Sequence, residues 1–282
     1  MASIPGGQYS FFAAGQAINV VTTADGTNLP PPIGGEFNLE VVTSPQGTSY
    51  SLPLGYQGVA LLSDQGHALN MLTGDYAVWA NGHGPDTIQA GSGNDTIFGL
   101  TGHDLITGGS GPDVIYGGRH DTIQGGTGPD MIYGGAGHEL ITGGIGPDVI
   151  YGGRHDTIQG GAGPDTIYGG AGHELITGGS GNNLIVGGSG HETIDGGAGN
   201  NMIQVGTGPA LIQDHGVAGH DTVVGFDTGH GDQIGFEGEN NASIDNVVAT
   251  ANENGGNTTI TLPDGSTMTL VGITHIDHTF FH

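Results

Sequence analysis

The side chains of this chain that could do chemistry are carboxylates that recur at a spacing of nine residues. In the unit GGSGPDVIY at residues 108–116 an aspartate stands sixth, and GGAGPDTIY at residues 160–168 repeats the arrangement. The chain has no Cys, so a metal ion would have to be bound by oxygen or imidazole rather than by thiolate. Regularly spaced carboxylates therefore indicate cation binding along the whole repeat rather than a single reactive centre.

The charge balance also favours cations as partners. The 282 residues include 28 Asp and Glu but only two basic residues, Arg119 and Arg154, which gives a formal net charge of −26. Because neutralising phosphates requires clustered Lys and Arg, we expect neither nucleic acid nor an anionic membrane surface as a partner. No apolar stretch reaches transmembrane length, so we expect no membrane insertion, and the N-terminus lacks the basic and apolar regions of a Sec signal peptide.

Fifteen such units follow one another from Asn81 to Gln213 and form the elements that must position the carboxylates. Each unit joins a Gly-rich half, which favours a turn, to three β-favouring residues with Ile in the centre. This Ile recurs from Ile88 to Ile212 and is flanked by polar, aliphatic or aromatic residues, which predicts a strand buried on one face. We therefore predict an all-β fold, a parallel β-roll (β-solenoid) in which one coil holds two units and two parallel sheets enclose Ile ladders.

The nonapeptide GGxGxDxUx, in which U is a large apolar residue, resembles the RTX, or haemolysin-type calcium-binding, repeat family, and the resemblance covers nearly half of the chain. It implies that the sixth-position carboxylates and backbone carbonyls bind Ca²⁺, with turns of successive coils sharing one ion. Calcium takes roughly six to eight hard oxygen ligands, of which each turn would supply about half. The calcium ligands implied are Asp86, Asp95, Asp104, Asp113, Asp121, Asp130, Asp148, Asp156 and Asp165, with Asp221 and Asp232 in two less regular turns beyond the repeat.

Alternate units stack above one another, and the two resulting columns of turns differ. The Pro-Asp column carries Asp95, Asp113, Asp130, Asp148 and Asp165, and continues with Asn183 and Asn201. The His column carries Asp86, Asp104, Asp121, Glu139, Asp156, Glu174 and Glu192, preceded from Asp104 onward by His103, His120, His138, His155, His173 and His191. We expect the Pro-Asp column to bind calcium better, because the longer Glu side chain would misplace an oxygen in a tight turn.

Three interpretations of these histidines remain open. They are solvated turn residues, a proton switch that supplies positive charge in mild acid, or a transition-metal site built from neighbouring imidazoles. Arg119 and Arg154 stand in two units that are one residue short, GGRHDTIQ at 117–124 and 152–159, where we expect them to act as local counter-charges.

A second ladder occupies the ninth position of the Pro-Asp units. Its members are Phe98, Tyr116, Tyr133, Tyr151 and Tyr168. They predict either cross-strand stacking on a solvent-facing sheet or an aromatic stripe for lateral association.

The sequence divides into four parts. We predict an N-terminal β segment with a Pro-rich linker at 1–54, degenerate capping coils at 55–80, the calcium-binding β-roll at 81–213, and a C-terminal cap at 214–282. Strands are expected at 17–22, 36–42 and 49–54, and a hairpin is expected from strands 258–262 and 267–271. The ending GITHIDHTFFH is similar to the uncleaved C-terminal signals of type I secreted proteins.

By resemblance, the protein would leave a Gram-negative cell unfolded through type I secretion machinery and fold at the cell surface or beyond on meeting calcium. No HExxH, GxSxG or phosphate-loop motif occurs, so we expect no enzyme. The first hypothesis is an extracellular structural component that self-associates through open ends of the roll into a filament, matrix or surface layer. The second is a monomeric calcium-dependent adhesive module. A weaker third is a flat Thr-bearing face that binds ice or polysaccharide.

Overall fold

The computed structural model describes residues 18–23, 32–34, 37–42, 49–50, 55, 57–62, 64–71, 73–216 and 219–282. The strands in chain order are β1 Ile18–Thr23, β2 Phe37–Val42, β3 Ser49–Tyr50, β4 Gly58–Leu61, β5 Ala68–Asn70, β6 Ala77–Ala80, β7 Thr87–Gln89, β8 Thr96–Phe98, β9 Leu105–Ser110, β10 Val114–Tyr116, β11 Thr122–Thr127, β12 Met131–Tyr133, β13 Leu140–Ile145, β14 Val149–Gly153, β15 Thr157–Ala162, β16 Thr166–Gly172, β17 Leu175–Ser180, β18 Leu184–Gly190, β19 Glu192–Asp195, β20 Met202–Gln204, β21 Ala210–Asp214, β22 His220–Val224, β23 Gln233–Phe236, β24 Asn252–Asn254, β25 Asn257–Thr261 and β26 Thr267–Val271. One α-helix, α1 Asn241–Thr250, and two 3₁₀ turns, Thr228–His230 and His278–Phe280, complete the described elements.

These strands form two sheets. Sheet A has the order β1-β2-β4-β6-β8-β10-β12-β14-β16-β18-β20-β22-β26-β25-β24, and sheet B has the order β23-β21-β19-β17-β15-β13-β11-β9-β7-β5-β3. Successive units thus alternate between the sheets, so one coil holds two units. All pairs are parallel except β24–β25 and β25–β26. The predicted parallel β-roll is confirmed, and its coils continue beyond the repeat into both flanks.

The register places each isoleucine on the isoleucine of the neighbouring coil. In sheet A, Ile115 aligns with Ile97 and with Ile132, 18 and 17 residues away. Because side chains alternate between the two faces of a strand, this register turns every central Ile inward. The inward residues from Ile88 to Ile212 are 0–1% exposed and form one continuous core between the sheets.

Glycine is required where neighbouring coils approach most closely. Gly109 has φ 115°, and a Cβ there would collide with the carbonyl oxygen of Gly91 in the preceding coil. Positive φ is open to glycine at little cost, and the absent side chain lets the turns stack directly. The Gly-rich half of each unit therefore allows neighbouring turns to lie as close together as the hydrogen-bonded strands of the sheets.

The N-terminal flank extends the roll. The described strands β1, β2 and β3 overlap the expected strands at 17–22, 36–42 and 49–54, while residue 17, residue 36 and residues 51–54 lie outside the described part. The Pro-rich linker also lies outside it, apart from Pro32. The strands β4, β5 and β6 join both sheets in the segment 55–80, for which degenerate capping coils are predicted.

The C-terminal flank contains the predicted hairpin, β25 and β26, but also a helix that the sequence analysis missed. Asn240 caps α1 by accepting from the N–H groups of Ala242 and Ser243, and the Ser243 hydroxyl accepts from the Asn240 N–H. Only Ile244 and Val247 of α1 are buried, which explains why no strong helical periodicity marks it.

At the C-terminal end the two sheets end differently, and the expectation of an open sheet end applies to sheet A alone. Sheet A ends in β24, a three-residue, fully exposed strand of Asn, Glu and Asn, which is a short and polar edge. Sheet B ends in β23, where Ile234 bridges to Phe281 and accepts from the N–H of His282 at 3.0 Å. Among the described residues, no helix is long and apolar enough to cross a membrane.

Candidate calcium-binding turns

The aspartates of the Pro-Asp column lie one above another, and each binds the coil before it. The backbone N–H of Asp95 donates to Asp113 Oδ1 at 2.8 Å, that of Asp113 to Asp130 Oδ1 at 2.9 Å, and that of Asp130 to Asp148 Oδ1 at 2.9 Å. All of these residues are buried. One oxygen of each carboxylate is therefore used by the backbone of the neighbouring coil.

The other oxygen is left over. Oδ2 is buried and has no hydrogen-bond partner within the described part of the chain in Asp86, Asp95, Asp104, Asp113, Asp130, Asp148, Asp156 and Asp165. A buried carboxylate oxygen without a donor is costly unless a proton or a cation satisfies it. Eight repetitions of that cost along two columns indicate that a cation belongs there.

Carbonyl oxygens face the same positions. A Cβ on Gly108 would lie 2.5 Å from Asp113 Oδ2 and 2.6 Å from the carbonyl oxygen of Gly125 in the next coil. The arrangement recurs at Gly125, whose Cβ would meet a carboxylate oxygen and the Gly143 carbonyl oxygen at 2.5 Å each. Glycine thus leaves a cradle between a carboxylate and a carbonyl, which are oxygen donors of the kinds that calcium prefers.

The carboxyl groups are strongly perturbed in the absence of a cation. Burial raises the pKa of Asp95 to about 7, of Asp113 to about 6 and of Asp130 to about 7. In the His column burial, together with the neighbouring carboxylates of Asp121 and Asp86, raises the pKa of Asp104 to about 8. At about 4.8 Å per coil, two such charges repel by roughly 3 to 4 kcal/mol at an effective dielectric of 20.

The His column follows the same ladder only where it carries Asp. The Asp104 N–H donates to Asp121 Oδ1 at 2.8 Å, as in the Pro-Asp column. Glu139 instead accepts through Oε1 from the N–H of His120, the residue before Asp121, at 2.8 Å, and Glu174 makes the equivalent contact at 3.0 Å. The extra methylene therefore moves the accepting oxygen by one residue along the neighbouring turn.

The imidazoles of the His column stack in one line. Ring centroids are 5.2 Å apart for His103 and His120 and 4.8 Å apart for His173 and His191, and the rings between them are stacked as well. Within the described residues, no group of three or more His, Cys, Asp or Glu is arranged to hold a metal ion. Stacked rings present their nitrogens side by side rather than converging, so the geometry gives the transition-metal interpretation no support.

Both columns continue into the C-terminal cap through the two irregular turns. Asp221 Oδ1 accepts from the N–H of Asn201 at 3.0 Å and so extends the Pro-Asp column. Asp232 Oδ1 accepts from the N–H of Ala210 at 2.9 Å and extends the His column. The sites implied at these positions are therefore placed in register with the repeat.

The starts of the columns were missed by the sequence analysis. The N–H of His67 donates to Asp86 Oδ1 at 2.7 Å, and the N–H of Tyr76 donates to Asp95 Oδ1 at 2.8 Å. His67 is buried, and its Nδ1 lies 3.2 Å from the same Asp86 oxygen. The signal for both was the 19-residue distance to the first aspartate of each column, close to one coil.

Among the described residues, neither arginine forms an ion pair with a carboxylate within 4.0 Å. The expected role of Arg119 and Arg154 as local counter-charges therefore has no direct partner. Asp121, in the same turn as Arg119, instead accepts through Oδ2 from the N–H of Gly118 at 2.6 Å.

These turns fit calcium best in the Pro-Asp column. The unpartnered Oδ2 atoms of Asp95, Asp113, Asp130, Asp148 and Asp165 and the carbonyls of the facing glycines would hold the ion. When bound, calcium supplies the positive charge that cancels the repulsion between stacked carboxylates. The protein's own contribution is to bury the carboxylates, hold Oδ1 by backbone N–H groups and leave Oδ2 open.

The comparison with protein families agrees with this chemistry. The family described as RTX calcium-binding nonapeptide repeat (4 copies) matches residues 82–115, 98–121, 115–150, 150–185 and 170–203. No curated protein matches the chain. The crystal structure of extracellular lipase LipA from Serratia marcescens is similar at 20% identity and a TM-score of 0.33, over 68% of this chain and 40% of the lipase chain. The chain thus spans less than half the length of that structure.

RTX nonapeptide repeats bind Ca²⁺, and proteins that carry them are typically exported by type I secretion. The matched segments coincide with the coils whose buried carboxylates lack a partner for one oxygen. Residues 82–203 of this chain carry RTX calcium-binding nonapeptide repeats.

Proposed function

We propose that this chain is a secreted structural protein that folds on extracellular calcium and associates laterally into a filament, matrix or surface layer. The outer face of sheet A carries the proposal. Its ninth-position rings stack at 4.7 Å between Tyr116 and Tyr133 and at 4.8 Å between Tyr151 and Tyr168. The same rings lie on the solvent side of the sheet.

This face is flat and largely apolar. Tyr116, Met131, Tyr151 and Met202 are each 36–52% exposed, and they point away from the buried isoleucines. Monomeric proteins seldom expose a contiguous apolar patch of this kind without a partner for it. The tyrosines repeat over four successive coils, from Tyr116 to Tyr168, so a neighbouring roll could lie along these coils, whereas Phe98 at the start of the ladder is buried.

The two ends of the roll favour side-by-side over end-to-end association. The C-terminal end is closed by β24, the Ile234–Phe281 bridge and α1, which disfavours end-to-end stacking there. At the other end β1 pairs only with β2 among the described strands. Lateral contact through sheet A therefore supports an assembly better than contact between two open ends.

The test is electron microscopy with sedimentation in millimolar calcium and in chelator. The variant Tyr116→Thr/Tyr151→Thr should fold but assemble less. Leu140→Thr on sheet B, which aligns with Thr122 and Thr157, is the matched control and should assemble as the parent does. Monodisperse monomers of the parent in calcium would reject the proposal, and loss of assembly in the control alone would move the contact to sheet B.

A monomeric calcium-dependent adhesive module is the second candidate. The closed C-terminal end favours it, because a capped roll is finished on that side and needs no copy of itself. Monodisperse protein that still binds a surface in calcium, and releases it in chelator, would select this candidate.

We further propose that the chain is not an enzyme. The acidic and imidazole side chains of the repeat occur in coil register, and the carboxylates are engaged with the neighbouring coil rather than grouped around a cleft. Turnover of an ester or peptide substrate by the purified protein, lost in a repeat variant, would overturn this.

A further inference from the structure

The two basic side chains of the chain lie in the same groove. Each belongs to a shortened unit, and the strands β11 and β15 that follow them flank β13 in sheet B. Arg119 and Arg154 are therefore two coils apart on one edge of the roll, roughly 10 Å along its axis at about 4.8 Å per coil. In a chain with 28 acidic residues and no Lys, both Arg side chains therefore lie at one site.

The groove offers hydrogen-bond donors. It has a volume of about 370 Å³ and is lined by Arg119, His120, Ala136, Gly137, His138, Arg154 and His155. Both arginines are exposed, and neither pairs with a carboxylate in the part of the chain that the structure describes. Each guanidinium thus keeps five N–H donors available in a planar fork.

The imidazoles add donors without needing a charge. His120 Nδ1 accepts from the backbone N–H of His138 at 3.3 Å, and His155 Nδ1 accepts from the backbone N–H of His173 at 3.0 Å. A neutral imidazole whose Nδ1 accepts carries its proton on Nε2, so both rings present an N–H there. Asp121 and Asp156, which directly follow these two histidines in the chain, are buried.

The shortened turns are also strained. His120 and His155 have φ of 61° and 63°, in the left-handed region that residues other than glycine seldom adopt. Both histidines directly follow an arginine in the shortened units. Strain of this kind concentrates at positions that bind a ligand.

We propose that this groove binds an oxyanion, that is a sulfate, phosphate or carboxylate group. Guanidinium forks match the geometry of such groups and bind them through two parallel N–H···O bonds. The two arginines can hold one group from both sides or two successive groups on a polymer. Charges farther away than roughly 8 to 10 Å are screened at physiological ionic strength. The nearer carboxylates of Asp121, Glu139 and Asp156, which follow the lining histidines, oppose an anion until calcium neutralises them, so the titration is run at fixed free calcium. This inference is independent of the assembly proposed above.

The experiment exploits the presence of only two arginines. Protein labelled with ¹⁵N-arginine has two Nε–H cross-peaks, one from each groove residue. Sodium sulfate is titrated against sodium chloride at equal ionic strength, neutral pH and fixed free calcium. Both peaks should shift and saturate, with a dissociation constant of roughly 1 to 10 mM from charge-assisted hydrogen bonds.

Variants separate binding from folding. R154Q should weaken the sulfate response of the Arg119 peak by roughly 10-fold or more, whereas R154K, which keeps the charge but not the fork, should weaken the response of the same peak less than R154Q does. His275→Gln in the exposed cap is the matched control and should leave both peaks unchanged. A circular dichroism spectrum and a calcium-titration midpoint equal to those of the parent would establish that a variant folds. If R154Q does not fold, the titrations of the parent and of the Lys variant decide whether the groove binds sulfate.

The source of the anion is tested with dextran sulfate. If dextran sulfate binds more tightly per sulfate group than free sulfate does, the ligand is an anionic polymer. If the two bind equally, the ligand is a free anion. Cross-peak shifts that rise linearly with sulfate concentration, or that are equal in sulfate and chloride, would overturn the proposal. So would a sulfate response of the Arg119 peak that R154Q leaves unchanged. Each result would mean that the two arginines are solvated side chains.

Discussion

The backbone N–H of Asp113 donates to Oδ1 of Asp130 in the next coil at 2.9 Å, while Oδ2 of Asp130 is buried with no donor among the residues that the structure describes. Each carboxylate therefore serves the fold through one oxygen and leaves the other for a cation. Because this pattern recurs along the column, folding and calcium binding are expected to be coupled.

Removal of calcium should strongly destabilise the roll at neutral pH. The reason is that the buried carboxylates of the column would carry unneutralised charge at about 4.8 Å spacing. Each site occupied at 100 times its dissociation constant contributes about 2.7 kcal/mol. Far-ultraviolet circular dichroism and melting curves with and without chelator at pH 7.5 measure the effect. An unchanged β signal and melting temperature in chelator would contradict it.

Mild acid should stabilise the calcium-free roll. Burial raises the pKa of Asp113 to about 6, of Asp130 to about 7 and of Asp104 to about 8, whereas an unfolded Asp has a pKa near 3.9. The folded state binds more protons between these values, so this stability is complete below about pH 4 and is lost as pH rises through 6 to 8. Urea titrations of calcium-free protein at pH 5 and pH 7.5 check the sign, and greater stability at pH 7.5 would refute it.

Asp130→Asn should separate the two roles of this carboxylate. Asn keeps an Oδ1 acceptor, as Asn183 does for the N–H of Asp165 at 2.9 Å, but lacks the charge. Calcium stoichiometry should fall, while the calcium-free protein at pH 7.5 should become more stable. Asp130→Ala is the comparison and should lose about 1 to 3 kcal/mol, because the Asp113 N–H loses its acceptor. Calorimetric titration and urea unfolding measure both. A less stable calcium-free Asn variant would argue against buried charge as the cause.

Glu139→Asp should improve calcium binding in the His column. The shorter side chain should return the accepting oxygen from the His120 N–H to the Asp121 N–H, the arrangement that Asp104 and Asp121 already show. Calcium affinity or stoichiometry should rise in titration calorimetry. Glu253→Asp in exposed β24 should change neither. Equal isotherms for parent and Glu139→Asp would indicate that Glu already binds the ion.

Ile132→Ala should destabilise the calcium-bound roll by about 2 to 5 kcal/mol, because Ile132 is fully buried in the core between the sheets. Met131→Ala, the adjacent residue on the outer face, should change stability by no more than about 0.5 kcal/mol. Denaturant unfolding in saturating calcium compares the two. Similar losses would mean that the outer face is covered in solution, which would itself support lateral association.

The sequence by itself determined the repeat, its two sheets and the identity of the column residues. A nine-residue unit with a central Ile can bury that residue only by alternating units between two sheets, so parity places Asp113 above Asp130 before any coordinates are known. The local unit dictates these features because every coil contacts only its neighbours.

Tertiary structure decided the features that depend on contacts outside one unit. It brought Asp221 and Asp232 into the columns across irregular turns, began the columns at His67 and Tyr76, and closed the C-terminal end with Phe281. It also turned the Glu139 oxygen toward the His120 N–H and placed the two arginines in one groove. These arrangements depend on side-chain reach and on insertions between coils, which a periodic pattern does not encode.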